Sequence, residues 1–179
     1  MALNATVYSF DIELSDVDRG VYATLALRAA RHPSETAEYL LTRVLAYCLE
    51  YEEGLEMSRG LAEPDEPALR VRDLTGALQA WIEVGAPDAA RLHKASKAAP
   101  RVAVYTHKDP ALLVRQLASE RIHKADALEL HAIDRTLLAE LAARLARRMK
   151  LGVTVTDRTL YVTVDDATLS GTVARFSLA

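Results

Sequence analysis

Six acidic residues in the first half of the sequence stand where they could act together: Glu35 and Glu38, Asp65 and Glu66, Asp73 and Glu83. Carboxylates gathered in one place repel one another unless a proton or cation neutralises them, and Mg²⁺ is held by one or two carboxylates plus waters. Downstream of Glu83, a helical reading puts Arg91 and Lys94 on one face and His93 and Lys97 on another. Either set could meet a phosphate or steady a developing hydroxide. Each group also has a plainer role. Glu35 and Glu38 would complement a helix dipole, Asp65-Glu66 between prolines would form a solvated turn, and the basic residues would line an exposed helix face. Glu83 resists such a reading, because it ends the apolar run Ala80, Trp81, Ile82 and Val84, where an unpaired charge is costly. Trp81 beside it reads as core or sheet cover.

These residues depend on the elements that carry them. Loose alternation over Ala5 to Leu14 and Val21 to Ala29, separated by a turn at Ser15 to Gly20, predicts an N-terminal hairpin. Pro33-Ser34-Glu35-Thr36 places a capping hydroxyl ahead of an acidic first turn, so a helix is expected through about Tyr51, with Gly54 ending it. Leu55 to Leu61, Ala68 to Arg72 and Leu78 to Val84 read as strands. Pro87-Asp88 then opens a helix through Ala99, Pro100 stops it, and Arg101 to Thr106 is a buried-looking strand. Beyond these come a helix at Pro110 to Ser119, a strand at Ala127 to Ile133 and a long helix at Arg135 to Met149. Strands at Val153 to Thr156, Leu160 to Val164 and Ala167 to Leu178 close the chain.

A two-residue turn at Thr75-Gly76 would set Val71 opposite Ala80 and Leu69 opposite Ile82, making one apolar face. Glu83 then faces Ala68, with Glu66 two residues further along on the same side. Asp73 would lie roughly 17 Å from Glu83's level along the strand. A wider loop centred on Leu78 would instead bring Asp73 opposite Glu83. The matching apolar residues favour the first register.

Composition narrows the function. The chain has 179 residues, half of them hydrophobic, which suits one α/β domain with a sizeable core. One cysteine, Cys48, excludes an internal disulfide framework and a cysteine-based zinc site, and its apolar helical setting predicts a core residue. No stretch approaches a membrane span and the first ten residues lack a secretory layout, so a cytoplasmic protein is expected. A formal charge of −3 offers no overall field to gather nucleic acid. Arg91, Lys94, Lys97, Arg101, His107 and Lys108 make the basic patch nearest the acids. A second, Arg144, Arg147, Arg148 and Lys150, is expected at a helix end, where the dipole accounts for it.

His32-Pro33-Ser34-Glu35-Thr36, Ser58-Arg59-Gly60, Asp65-Glu66-Pro67 and Trp81-Ile82-Glu83-Val84-Gly85-Ala86-Pro87-Asp88 resemble the YaeQ family of bacterial proteins, over the whole chain. That resemblance implies a mixed α+β fold. Its core would be like that of the PD-(D/E)xK nucleases, with helix, three strands, helix and strand at about residues 33–107, inside a single domain of residues 1–179 with an added N-terminal hairpin and C-terminal strands. It implies a nuclease-like site binding Mg²⁺ or Mn²⁺ through Glu35 (or Glu38), Asp65 (with Glu66 or Asp73 as rivals) and Glu83. Arg91, Lys97 and Arg59 would contact DNA or RNA. Two residues after Glu83, where such nucleases carry lysine, stands Gly85. Lys94 on the next helix is the expected substitute, Lys97 the second, and a fold that kept its acids without either would be a nonhydrolytic binding or regulatory protein.

Overall fold

A computed structural model describes residues 4–58 and 65–178. Strands β1 (Thr6–Asp16) and β2 (Val21–Arg31) form the expected hairpin, in unbroken antiparallel register from Asp16 against Val21 to Thr6 against Arg31. Alternation buries Phe10, Ile12 and Leu14 while Asp11 and Glu13 face outward.

Helix α1 (Ala37–Leu49) is capped by Thr36, whose hydroxyl accepts from the Tyr39 N–H at 3.0 Å. Glu35 therefore precedes the helix instead of sitting in its first turn, which leaves Glu38 as the acid that meets the dipole. The two therefore do not both complement the dipole from within the helix, as expected. Leu40 to Ala46 and Cys48 are all buried, so α1 is enclosed on every side. The expected core role of Cys48 holds, with burial pushing its thiol pKa up to about 12.

Strands β3 (Leu55–Met57), β4 (Leu69–Arg72) and β5 (Leu78–Val84) form an antiparallel ladder. Leu69 pairs with Ile82 and Val71 with Ala80, the register that the apolar match predicts. The turn is wider than the predicted two residues. Asp73 N–H bonds the Ala77 carbonyl around Leu74 to Gly76, and a register shift between Val71 and Arg72 restores the pairing. Asp88 caps α2 (Ala89–Ala98), which crosses over to β6 (Arg101–Thr106), parallel to β5.

The remainder comprises α3 (Pro110–Leu117), β7 (Glu129–Ile133), α4 (Arg135–Ala142), β8 (Arg148–Thr156), β9 (Thr159–Val164) and β10 (Ala167–Phe176). Helix α4 ends seven residues before the expected Met149. Its buried stripe of Leu137, Leu138 and Leu141 is complete by then, and Met149, Leu151, Val153 and Val155 are buried at a period of two. These extend β8 alongside β1, where Met149 pairs with Phe10 and Leu151 with Ile12. Arg148 and Lys150 lie on the exposed side of that strand, and Arg147 donates to the Val7 carbonyl, so no helix dipole accounts for them.

The described strands make one ten-stranded mixed sheet in the order β2-β1-β8-β9-β10-β7-β6-β5-β4-β3. Helix α1 touches both β2 at one edge and β5 and β6 in the other half, so the sheet curls around it. On the opposite face of the β5–β6–β7 segment, Trp81, Leu92, Val102, Val104, Leu113 and Leu130 form a second core under α2 and α3. Among the described residues, no helix is long and apolar enough to cross a membrane.

Candidate functional site

The parallel β5-α2-β6 crossover sends the ends of two neighbouring strands to one place, and α1 begins beside them. Chain segments leaving parallel strand ends diverge, which opens a crevice there. A cleft of about 460 Å³ lies at this point, walled by Glu35 and Tyr39 from the start of α1, Glu66 from the lead-in to β4, Glu83 from β5, and Arg91, His107 and Lys108 from the crossover and the end of β6.

Glu83 is buried at 4 % exposure. Its Oε1 accepts from the Trp81 indole N–H at 2.5 Å and from Arg91 Nε at 2.8 Å. Burial pushes its pKa up, against the opposing effects of the Arg91 and Trp81 bonds. Arg91 is locked in place by a further bond to the Glu66 carbonyl. Glu35 is equally buried. Its Oε1 accepts from the His32 N–H at 3.3 Å, while its Oε2 accepts no hydrogen bond and has the Arg43 guanidinium 3.7 Å away as its ion-pair partner. A buried carboxylate oxygen that accepts no hydrogen bond is costly, and a cation closer than Arg43 would relieve it further.

Of the predicted acids, Glu35, Glu66 and Glu83 therefore share the cleft, and Asp65, Asp73 and Glu38 do not line it. Asp65 is exposed and meets Lys94 at 3.0 Å, which holds its carboxyl below the ordinary aspartate range. Lys94 is thus paired on the surface with the acid it was expected to assist, and it is Arg91, one turn earlier on α2, that reaches Glu83. Asp73 ties the hairpin tip, accepting from the N–H groups of Thr75 and Ala77 and from the side chains of Thr75 and Gln79. Those bonds, the Thr75 hydroxyl first, lower its pKa. Lys97 is exposed on α2 and does not border the cleft, and Arg59 lies outside the described residues. Arg101 leaves the expected patch altogether, being bound to Glu50 and Glu129 at the other end of the sheet.

Sequence reasoning placed His107 and Lys108 in a basic patch without assigning them to the site. The signal was available, since both follow the strand that runs parallel to β5. The His107 imidazole packs edge-on to Tyr39 with centroids 5.9 Å apart. Burial, and then the Lys108 charge, lower its pKa. Between them, Gly85 has φ +99°, and a Cβ there would come within 3.3 Å of Tyr39 Cε2 and 3.7 Å of His107 Cε1. The lysine that the nuclease resemblance implies at this position is thus disfavoured locally, because this backbone disfavours any L-residue.

The family model described as YaeQ protein matches residues 1–173. The chain is similar to the YaeQ protein of Escherichia coli K12, 35% identical over 92% of both chains. It has the same identity over 90% of both chains to that of Salmonella typhi. It is likewise similar to the crystal structure of the YaeQ protein from Pseudomonas syringae, with a TM-score of 0.87 and 32% identity over 97% of this chain and 96% of that one. The crystal structure from Xanthomonas axonopodis pv. citri gives a TM-score of 0.86 at 32% identity, covering 97% of this chain and 98% of the other.

Proposed function

The chain belongs to the YaeQ family, and we propose that its cleft is the centre of a divalent-metal-dependent phosphodiester hydrolase of PD-(D/E)xK type, acting on nucleic acid in the cytoplasm. The observation that carries this reading is the meeting of two buried carboxylates, Glu35 and Glu83, with the cations Arg91 and Lys108 around one cavity. The element order α1, β3, β4, β5, α2, β6, with antiparallel strands followed by a parallel crossover, is the order such a core requires.

The donor set suits Mg²⁺ or Mn²⁺. Among the described residues no three His, Cys, Asp or Glu side chains form a ready-made cage, but these ions take one or two carboxylates and complete their shell with water. Oε2 of Glu35, which accepts no hydrogen bond, is one donor. Glu83 is the other, since Arg91 and Trp81 occupy only its Oε1. When bound, the ion would lower the pKa of a water and offset charge on a phosphate. The chain's own contribution is to hold that phosphate. Lys108 stands exposed at the rim, its backbone fixed by a 3.1 Å bond to the Thr106 hydroxyl, and takes the lysine role expected of Lys94. Arg91 orients Glu83 and opposes the burial that raises its pKa.

Calorimetry with Mn²⁺ and cleavage of single- and double-stranded DNA and RNA test the proposal. Saturable Mn²⁺ binding and metal-dependent cleavage, both lost in Glu83→Ala, are the expected results, and cleavage that survives the substitution would remove the assignment. The Arg91–Glu83 and Arg43–Glu35 pairs favour a second reading, in which acids already neutralised by arginines serve a nonhydrolytic nucleic-acid-binding or protein-binding regulatory role. Nucleic-acid binding without Mn²⁺ uptake or cleavage would select it.

A further inference from the structure

Helix α1 has a polar cleft at its other end too. Arg19, from the β1–β2 turn, caps the last carbonyls there, donating to Cys48 O at 3.1 Å and Tyr51 O at 3.0 Å while it pairs with Asp16 at 2.7 Å. Beside it lies a cavity of about 470 Å³ that adjoins a smaller one of about 110 Å³, and His131, Tyr105 and Arg158 border both. Arginines from four separate elements converge on the larger cavity: Arg19, Arg101, Arg158 and Arg175.

Most of the charges around these cavities are already matched. Arg101 is held by Glu50 at 2.7 and 2.9 Å and by Glu129 at 2.6 and 3.0 Å, and Glu50 also accepts from the Tyr105 hydroxyl. Burial pushes the Glu50 pKa up, but its bonds to Arg101 and Tyr105 outweigh that and leave it lowered, so the carboxylate stays ionised. Asp16 is committed to Arg19, and Asp18 accepts from the N–H groups of Asp157 and Arg158 with its two oxygens. Among the described residues this leaves Arg158 and Arg175 with no carboxylate in ion-pair reach, against one unpaired acid on the rim, Glu52.

Arg158 is also held unusually firmly. Its backbone sits at φ +57°, a conformation that a non-glycine residue adopts only when its surroundings impose it. Its Nε donates to Val173 O at 3.0 Å and its Nη2 to His131 Nδ1 at 2.9 Å. A guanidinium only donates, so Nδ1 must accept, and the imidazole proton belongs on Nε2. That ring is 5 % exposed, its Nε2 has no partner, and Arg175 is its cross-strand neighbour on β10. The second cleft therefore holds an immobilised guanidinium, a second one free of any acid, and a buried N–H that lacks an acceptor.

We propose that this cleft is a second binding site, for the phosphate group of a small molecule, with Arg158 and Arg175 supplying charge and His131 Nε2 a third donor. Two guanidinium groups that no acid neutralises match a phosphate dianion better than a carboxylate. The site lies at the opposite end of α1 from the Glu35–Glu83 cleft and does not depend on the function proposed for that cleft.

The test is calorimetric titration of the full chain with inorganic phosphate, and separately with acetate, while the His131 side-chain nitrogens are followed by NMR. The expected result is saturable phosphate binding that shifts His131 Nε2, with weaker binding of acetate. Arg175→Ala, at an exposed strand position that leaves the fold intact, should weaken phosphate binding about tenfold or more. His131→Gln should weaken it as well. Absence of saturable phosphate binding would overturn the proposal. So would binding that falls in Lys108→Ala and not in Arg175→Ala, because it would put the phosphate in the first cleft.

Discussion

Replacing Gly85 by alanine and by lysine asks whether the lysine that the proposed nuclease reading expects could be placed there. The backbone at Gly85 has φ +99°, and an added Cβ would lie 3.3 Å from Tyr39 Cε2. An L-residue in so sparsely populated a region costs about 1–3 kcal/mol. The Tyr39 contact adds to this, since the ring is itself wedged edge-on against His107. A loss of about 2 kcal/mol is expected for Gly85→Ala and at least as much for Gly85→Lys, which must also thread its stem past Tyr39. In a chain of this size that corresponds to a fall in Tm of roughly 4–8 °C. Trp81, the single tryptophan, is buried and bonded to Glu83, so its fluorescence during urea unfolding reports both stability and the integrity of the cleft wall. Gly85→Lys should gain no cleavage activity. The reasoning is refuted if Gly85→Ala stays within about 0.5 kcal/mol of the parent, the range of neutral surface changes. It is equally refuted if Gly85→Lys cleaves faster at undiminished stability.

Lys108→Ala should lower metal-dependent cleavage about a hundredfold, the usual cost of losing one charge-stabilising donor, while Lys94→Ala leaves it nearly unchanged. The reverse outcome in a nuclease assay would return the lysine role to α2. Burial, and then the Arg158 charge, push the His131 pKa down to about 4. The unfolded chain takes up this proton near pH 6.5, whereas the folded one refuses it until about pH 4. The stability that His131 contributes is thus complete above pH 6.5 and falls away as the pH drops to 4, by up to about 3 kcal/mol. Urea midpoints at pH 7 and pH 4.5 measure the effect, and a drop of the same size in His131→Gln would show that other groups cause it.

Much of what depends on neighbours in the chain was legible in the sequence. The N-terminal hairpin, the Asp88 cap, the stop at Pro100 and the pairing of Leu69 with Ile82 all follow from periodicity, capping chemistry and matched apolar faces, which act over a few residues. That Glu83 needs a partner was legible for the same reason, since a carboxylate inside an apolar strand needs one wherever that strand lies, and Arg91 and Trp81 supply it. Local signals failed where two elements met without a break. The helical reading ran past Ala142 to Met149 because a stripe of leucines and an alternating strand share apolar residues at the join, and pairing with β1, more than a hundred residues away, decides the boundary.

Partnerships across the fold belonged to the tertiary structure. Lys94 and Arg91 share a helix face, yet α2 packs so that Arg91 turns to Glu83 and Lys94 to the exposed Asp65. Arg101 and Lys108 bracket the same strand, and its length alone sends them to opposite ends of the sheet, one to Glu50 and Glu129, the other to the cleft. Composition and periodicity specify which residues are buried. Which charges meet depends on how a curled ten-stranded sheet closes around α1, and that arrangement has no local signature.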